Sequence, residues 1–196
     1  MKIYGDQNSG NCLKVKWVAD RLVLPYDWIE IDTLKGGSRT AEFLKLNPWG
    51  QVPAVVLDDG RTLAQSNAII RYLARGSELI PADAFAAAKM DEWLFWEQYS
   101  HEPYVAVCRF HMLYLGRKAS ELDPEKVRRG IAALDHLERR LGENRFLVGE
   151  TFSLADVALV AYTRVAHEGG FDLARHASIR RWIGQTEKNL GLPPVR

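Results

Sequence analysis

Residues 47–72 read NPWGQVPAVVLDDGRTLAQSNAIIRY, and the order of signals inside them decides the fold. Asn47-Pro48 ends the helix that precedes it, because a residue before proline is pushed out of the α region. Ala54 to Leu57 is a short buried apolar run, Asp58-Asp59-Gly60 is a turn signal, and Arg61 to Ala64 returns, so the pair makes a hairpin. Ser66 to Arg75 then reads as a helix. Upstream, Lys2 to Gly5 is a short strand. Cys12, Val15, Val18, Ala19 and Leu22 recur at helical spacing, with Lys14, Lys16, Asp20 and Arg21 between them. Tyr26 to Asp32 alternates around Trp28, Ile29 and Ile31, a second strand that a helical crossover places parallel to the first. Thr40 to Leu46 is a short helix. The resulting order is βαβαββα.

Downstream the character changes. Gly76 to Asp83 has Gly, Ser and Pro with little periodicity, and beyond it no strand pattern returns. The chain divides into an α/β domain over 1–76, a linker over 77–84 and an all-helical bundle over 85–196. Ala84 to Leu115 is helical but must bend or break at Pro103, which has no N–H for the ladder. Val127, Ile131, Leu134 and Leu141 mark an amphipathic helix after Pro124. Leu154 to Val165 is apolar nearly all round, as a central helix is, with Ser153 and Asp156 spaced as a cap. A last helix runs from His176 to Leu190.

Composition removes several function classes. Twenty-six basic residues against twenty-five acidic ones give no field that gathers nucleic acid or an anionic membrane surface. No segment has the apolar length of a signal peptide or a membrane helix, so the expectation is a soluble cytoplasmic protein. Cys12 and Cys108 are far apart and form no CxxC pair, which argues against a disulfide framework or a zinc ribbon. His101, Cys108 and His111 lack matching ligand spacing and read as helix-face residues, so no metal is expected.

Three stretches carry a resemblance. Asn47-Pro48-Trp49-Gly50-Gln51-Val52-Pro53, Gln65-Ser66-Asn67-Ala68-Ile69-Ile70 and Phe152-Ser153-Leu154-Ala155-Asp156 stand in order and at the separations found in the soluble glutathione transferases. The chain resembles that family over essentially its whole length, in its serine-type or bacterial classes. The resemblance implies a thioredoxin-like domain followed by a helical one. It implies a cis proline at Pro53, with the Val52 backbone pairing to the cysteinyl part of glutathione and Gln51 beside it, and Gln65 and Ser66 receiving the γ-glutamyl end. Physical chemistry agrees, since the N–H groups that open a helix and the positive end of its dipole favour a carboxylate. Arg39 is a further candidate, for the glycine carboxylate.

The resemblance also implies that the reactive group sits at the mouth of the first helix, Asn8-Ser9-Gly10-Asn11-Cys12. Ser9 falls where serine-type members carry the hydroxyl that meets the glutathione sulfur. Asn11, through its amide N–H, is a second candidate, as in some bacterial relatives. Cys12 is a third, although its place in the apolar stripe marks a core thiol. Tyr104, Cys108, Arg109 and Met112 are candidates for the wall of a second-substrate pocket. Trp49 occupies the position from which some members insert an aromatic ring into a partner subunit, which points to a homodimer. The implied activity is transfer of the glutathione thiolate to small hydrophobic electrophiles, a detoxification chemistry in which glutathione is co-substrate and no cofactor is needed. Glutathione-dependent peroxide or disulfide reduction and a non-catalytic interaction module are the rivals. The resemblance has departures: Gln65 stands where many members have Glu, and the chain stops soon after Leu192-Pro193-Pro194, without the further helix that covers the pocket in some classes, so an open site is the expectation.

Overall fold

The computed structural model describes residues 1–195 and falls into two compact units, Met1–Ser77 and the residues from Glu78 on. The first unit contains β1 (Lys2–Gly5), α1 (Gly10–Arg21), β2 (Asp27–Glu30), α2 (Ala41–Leu46), β3 (Ala54–Val56), β4 (Thr62–Ala64) and α3 (Ser66–Leu73). The strands form one sheet in the order β2-β1-β3-β4, with β1 parallel to β2 and antiparallel to β3, and β3 antiparallel to β4. Ile3 lies opposite both Trp28 and Val55, so the apolar residue of each strand faces the same layer. Val15, Val18 and Ala19 of α1 and Ile69 and Ile70 of α3 are fully buried and close that layer. α1 and α3 therefore lie side by side, with their N-termini at the same edge of the sheet.

The second unit is helical: α4 (Ala84–Trp96), α5 (Glu102–Leu113), α6 (Pro124–Glu143), α7 (Leu154–Thr163) and α8 (Ala177–Leu190). The run from Ala84 is interrupted just before Pro103, though not by a loop. Instead α4 widens into a five-residue π-helical turn, Glu97–His101, and α5 starts with Pro103 in its first turn. The proline's missing N–H thus falls where a fresh helix start needs none.

Every residue of α7 is buried. Its Asp156 does more than cap. One carboxylate oxygen accepts from the Leu147 N–H at 3.0 Å and the Trp182 indole N–H at 2.8 Å. The other accepts from the Ser153 N–H at 2.9 Å and the Ser153 hydroxyl at 3.2 Å. Asp156 therefore ties α7, α8 and the turn around Leu147 to one point. Among the described residues no helix is long and apolar enough to cross a membrane.

Candidate functional site

The loop between β1 and α1 is set by Asp6, which is almost fully buried. Its carboxylate accepts from the Asn8 N–H and the Thr33 hydroxyl, both at 2.9 Å, and its carbonyl accepts from the Ser9 N–H at 3.0 Å. Ser9 is the N-cap of α1 by backbone (φ −82°, ψ 118°), yet its side chain makes no capping hydrogen bond. The hydroxyl is thus not occupied in closing its own helix. It lies beside the Cys12 thiol. Burial pushes that thiol up to about 11, the Asp6 and Glu30 carboxylates add to the rise, and hydrogen bonds from the Asp6 backbone and the Ser9 side chain offset part of it. Cys12 is a neutral, fully buried thiol at neutral pH, a poor nucleophile.

Asn11 sits in the first turn of α1, and its Oδ1 accepts from two donors. One is Lys14 Nζ at 2.8 Å; the other is the Ser66 hydroxyl at 3.1 Å. That second bond links the N-termini of α1 and α3, so two positive helix ends converge on one place. Ser66 donates its hydroxyl proton to Asn11, so the group it offers a carboxylate is its backbone N–H, the first of α3.

Gln65 makes the entry to α3 unusual. β4 ends at Ala64 and α3 begins at Ser66, so a single residue turns the chain, and Gln65 does so with φ 70° and ψ 111°. Its side chain is exposed and does not cap the helix. A residue with a Cβ held there is strained by about 1–3 kcal/mol, a cost typical of ligand clamps.

The loop before β3 is built on Asn47, which is 1% exposed. Its amide donates to the Gln51 carbonyl at 2.7 Å, and its side-chain oxygen accepts from the Trp49 N–H at 3.2 Å. Arg39 Nη1 donates to the Trp49 carbonyl at 3.2 Å and lies over Gly50, whose φ of 62° and lack of a Cβ allow it. The Val52–Pro53 peptide is cis. The Val52 N–H and C=O have no backbone partner among the described residues, which leaves a strand-like edge ready to pair with an extended peptide. Ser9, Asn11, Arg39, Gln51, Val52, Gln65 and Ser66 therefore all belong to one unit, around the C-terminal end of β1 and the two helix mouths.

The four pocket candidates on α5 are not brought together as one wall. Tyr104 and Cys108 face α6: the Tyr104 hydroxyl accepts from Arg129 at 2.8 Å, and Cys108 is fully buried. Arg109 and Met112 face the segment 166–170 instead, where Arg109 pairs with Glu168 and the Met112 sulfur meets Gly170. Cys108 and Arg109 are buried, whereas Tyr104 and Met112 are half-buried. Tyr104 does line a groove of about 400 Å³ with Trp96, Tyr99, Arg129, His136 and Arg139. Trp49, on the other unit, is 59% exposed.

Sequence reasoning missed Lys14, which it set among the polar residues separating the apolar stripe and which is fully buried. The signal was the spacing Asn11 to Lys14, three residues apart on one helix face. Asp6 and Asn47 were missed as well, because a loop acid and a helix stop have many bland uses.

Both units match known proteins. Residues 8–75 match the family model described as Glutathione S-transferase, N-terminal domain, and residues 124–185 match Glutathione S-transferase, C-terminal domain. Glutathione S-transferase 3 of Zea mays is 35% identical over 165 residues, which span 80% of this chain and 73% of that protein. The crystal structure of a glutathione S-transferase from Pseudomonas fluorescens superposes with a TM-score of 0.92 at 45% identity, over 95% of this chain and 94% of that one. One from Xanthobacter autotrophicus gives 0.90 at 41% identity, over 100% and 95%.

Proposed function

The chain belongs to the glutathione S-transferase family and is a transferase, and from that premise we propose that it joins the glutathione thiolate to small hydrophobic electrophiles. The observation that carries this reading is the meeting of the α1 and α3 N-termini through Ser66 and Asn11, beside a Ser9 hydroxyl that caps nothing. Glutathione lies extended along Val52, its γ-glutamyl carboxylate on the N–H groups that open α3 and its sulfur at Ser9 and Asn11. Arg39 and Gln51 stand at the glycine end. The thiol proton leaves to water. The sulfur lone pair forms the C–S bond, and the leaving group departs with its own electron pair. Glutathione is co-substrate here, not a resident cofactor. A cytoplasmic location belongs to the same reading, since that compartment keeps glutathione reduced.

Reduction through a mixed disulfide on Cys12 is disfavoured, because that thiol is buried and protonated. The test is calorimetric titration with glutathione followed by turnover of an activated aryl halide. Saturable binding with product formation supports conjugation; absence of binding leaves only an interaction module.

Gln65 separates affinity from stability. Gln65→Gly removes a strain of about 1–3 kcal/mol and adds about 0.5–1 kcal/mol of backbone entropy cost, so stability is expected to rise by about 1 kcal/mol. The lost amide should weaken glutathione binding about tenfold. Denaturant melts and calorimetry on the same samples check both, and a variant that binds as the parent does would remove Gln65 from the site.

A homodimer completes the proposal. An indole as exposed as that of Trp49 is costly in a monomer, and the groove of Trp96, Tyr99, Tyr104 and Arg129 offers aromatic walls with a cation for it on a partner subunit. Trp49→Ala is expected to raise the dimer dissociation constant by about 30-fold or more, the effect of losing an aromatic anchor of about 2 kcal/mol. Sedimentation velocity across a dilution series reads it, and an unchanged profile would place Trp49 outside the interface.

A further inference from the structure

Lys14 takes no part in the reaction outlined above, yet it is fully buried one turn into α1. Burying an ammonium is costly unless its protons are taken up. One of them goes to Asn11 Oδ1 at 2.8 Å. Because a lysine carries donors only, the atom it meets on Asn11 has to be the oxygen, and the amide's orientation follows from chemistry. The Ser66 hydroxyl lands on the same oxygen at 3.1 Å. An amide held by its oxygen turns its N–H2 the other way. A charge-assisted bond on the carbonyl also makes that N–H2 a stronger donor.

We propose that Lys14 is a positioning residue for the thiolate: it locks the Asn11 side chain so that the N–H2, alongside the Ser9 hydroxyl, faces the glutathione sulfur. A flipped amide would present an oxygen lone pair to a negative sulfur. The inference rests on the glutathione site proposed above and deepens it. Other charges around this mouth act in the opposite sense. Asp6 at the end of β1 and Glu30 at the end of β2 both bear on the thiol of Cys12 and disfavour a nearby anion. α3 brings no acid in its first turn and carries its basic residue, Arg71, in its last. Lys16, also on α1, is paired with Asp20 at 2.6 Å.

The test is ultraviolet titration of the thiolate of bound glutathione in the wild type, Lys14→Met, Asn11→Ala and the double variant. Lys14→Met is expected to raise the thiol pKa by about one unit, a tenfold loss of thiolate below that pKa. Asn11→Ala should shift it in the same direction, and the double variant should go no further than Asn11→Ala, because both act through one amide. A Lys14→Met protein that binds glutathione with the wild-type titration, or a double variant that sums the two shifts, overturns the proposal. Should Lys14→Met not fold, Asn11→Asp serves: it keeps an acceptor for Lys14 and Ser66 but has no N–H2. It is expected to raise the pKa at least as far as Asn11→Ala, and a wild-type titration in it overturns the role. A wild-type chain that binds no glutathione overturns the site itself, whereas binding with an unmoved pKa overturns only Lys14.

Discussion

Ser9→Ala is expected to lower kcat/KM for conjugation by about 10- to 100-fold while glutathione affinity changes by less than about threefold. A hydrogen bond to a charged group is worth about 1.5–3 kcal/mol, and each 1.4 kcal/mol is tenfold in rate. The hydroxyl would meet the sulfur only once it is charged, so its loss acts on the thiolate and the transition state more than on peptide binding. The variant should fold normally, because the hydroxyl makes no capping hydrogen bond to the α1 backbone. Steady-state kinetics with thiolate titration separates the outcomes. A fall in kcat/KM under about threefold would move the role to Asn11, whose amide stands in the same helix mouth.

Asp156→Ala should destabilise the fold more than any substitution at the glutathione site. It strips the acceptor from four donors: the N–H of Leu147, the indole of Trp182, and the N–H and hydroxyl of Ser153. Each buried donor left unsatisfied costs about 1–3 kcal/mol, so a loss of roughly 4 kcal/mol or more is expected, against a total of about 5–15 kcal/mol for a typical protein. Denaturant unfolding measures it, and a change under about 1 kcal/mol would mean that water replaces the carboxylate. The pH dependence has a definite sign. Burial raises the Asp156 pKa to about 6, partly offset by the four hydrogen bonds. The folded state then holds this proton more tightly than the unfolded chain does. The group's contribution is therefore fully present below the unfolded value near 4 and is lost as pH rises to about 6, a fall of roughly 3 kcal/mol. The difference between wild type and Asp156→Asn, followed from pH 4 to 7, should show that slope.

The first unit was legible because its signals are local. Asp58-Asp59-Gly60 specifies its turn through residue chemistry, and the stripe from Cys12 to Leu22 specifies its buried face through spacing. The conformation of Gln65 was not legible, because nothing about glutamine announces a positive φ. Lys14 was illegible for a related reason: a charged residue between apolar ones reads as solvated until the structure surrounds it. The α5 candidates separate for a geometric reason. Residues 104 and 108 lie one turn apart on one face and 109 and 112 on another, and which face meets which neighbour is set by packing rather than by sequence period.

The π-helical turn at Glu97–His101 bears on inheritance. A turn closed by i→i+5 bonds holds one residue more than the α-helical turn it replaces, and each residue turns the helix by about 100°. Adding or deleting one residue there exchanges one kind of turn for the other without breaking the rod. The extra residue is taken up inside the turn, so the rotation it would impose is avoided, and α4 and the helix from Glu102 onward both keep their faces. Relatives can accordingly differ by one residue in the spacing between the two halves during divergence while each half goes on burying the same side chains.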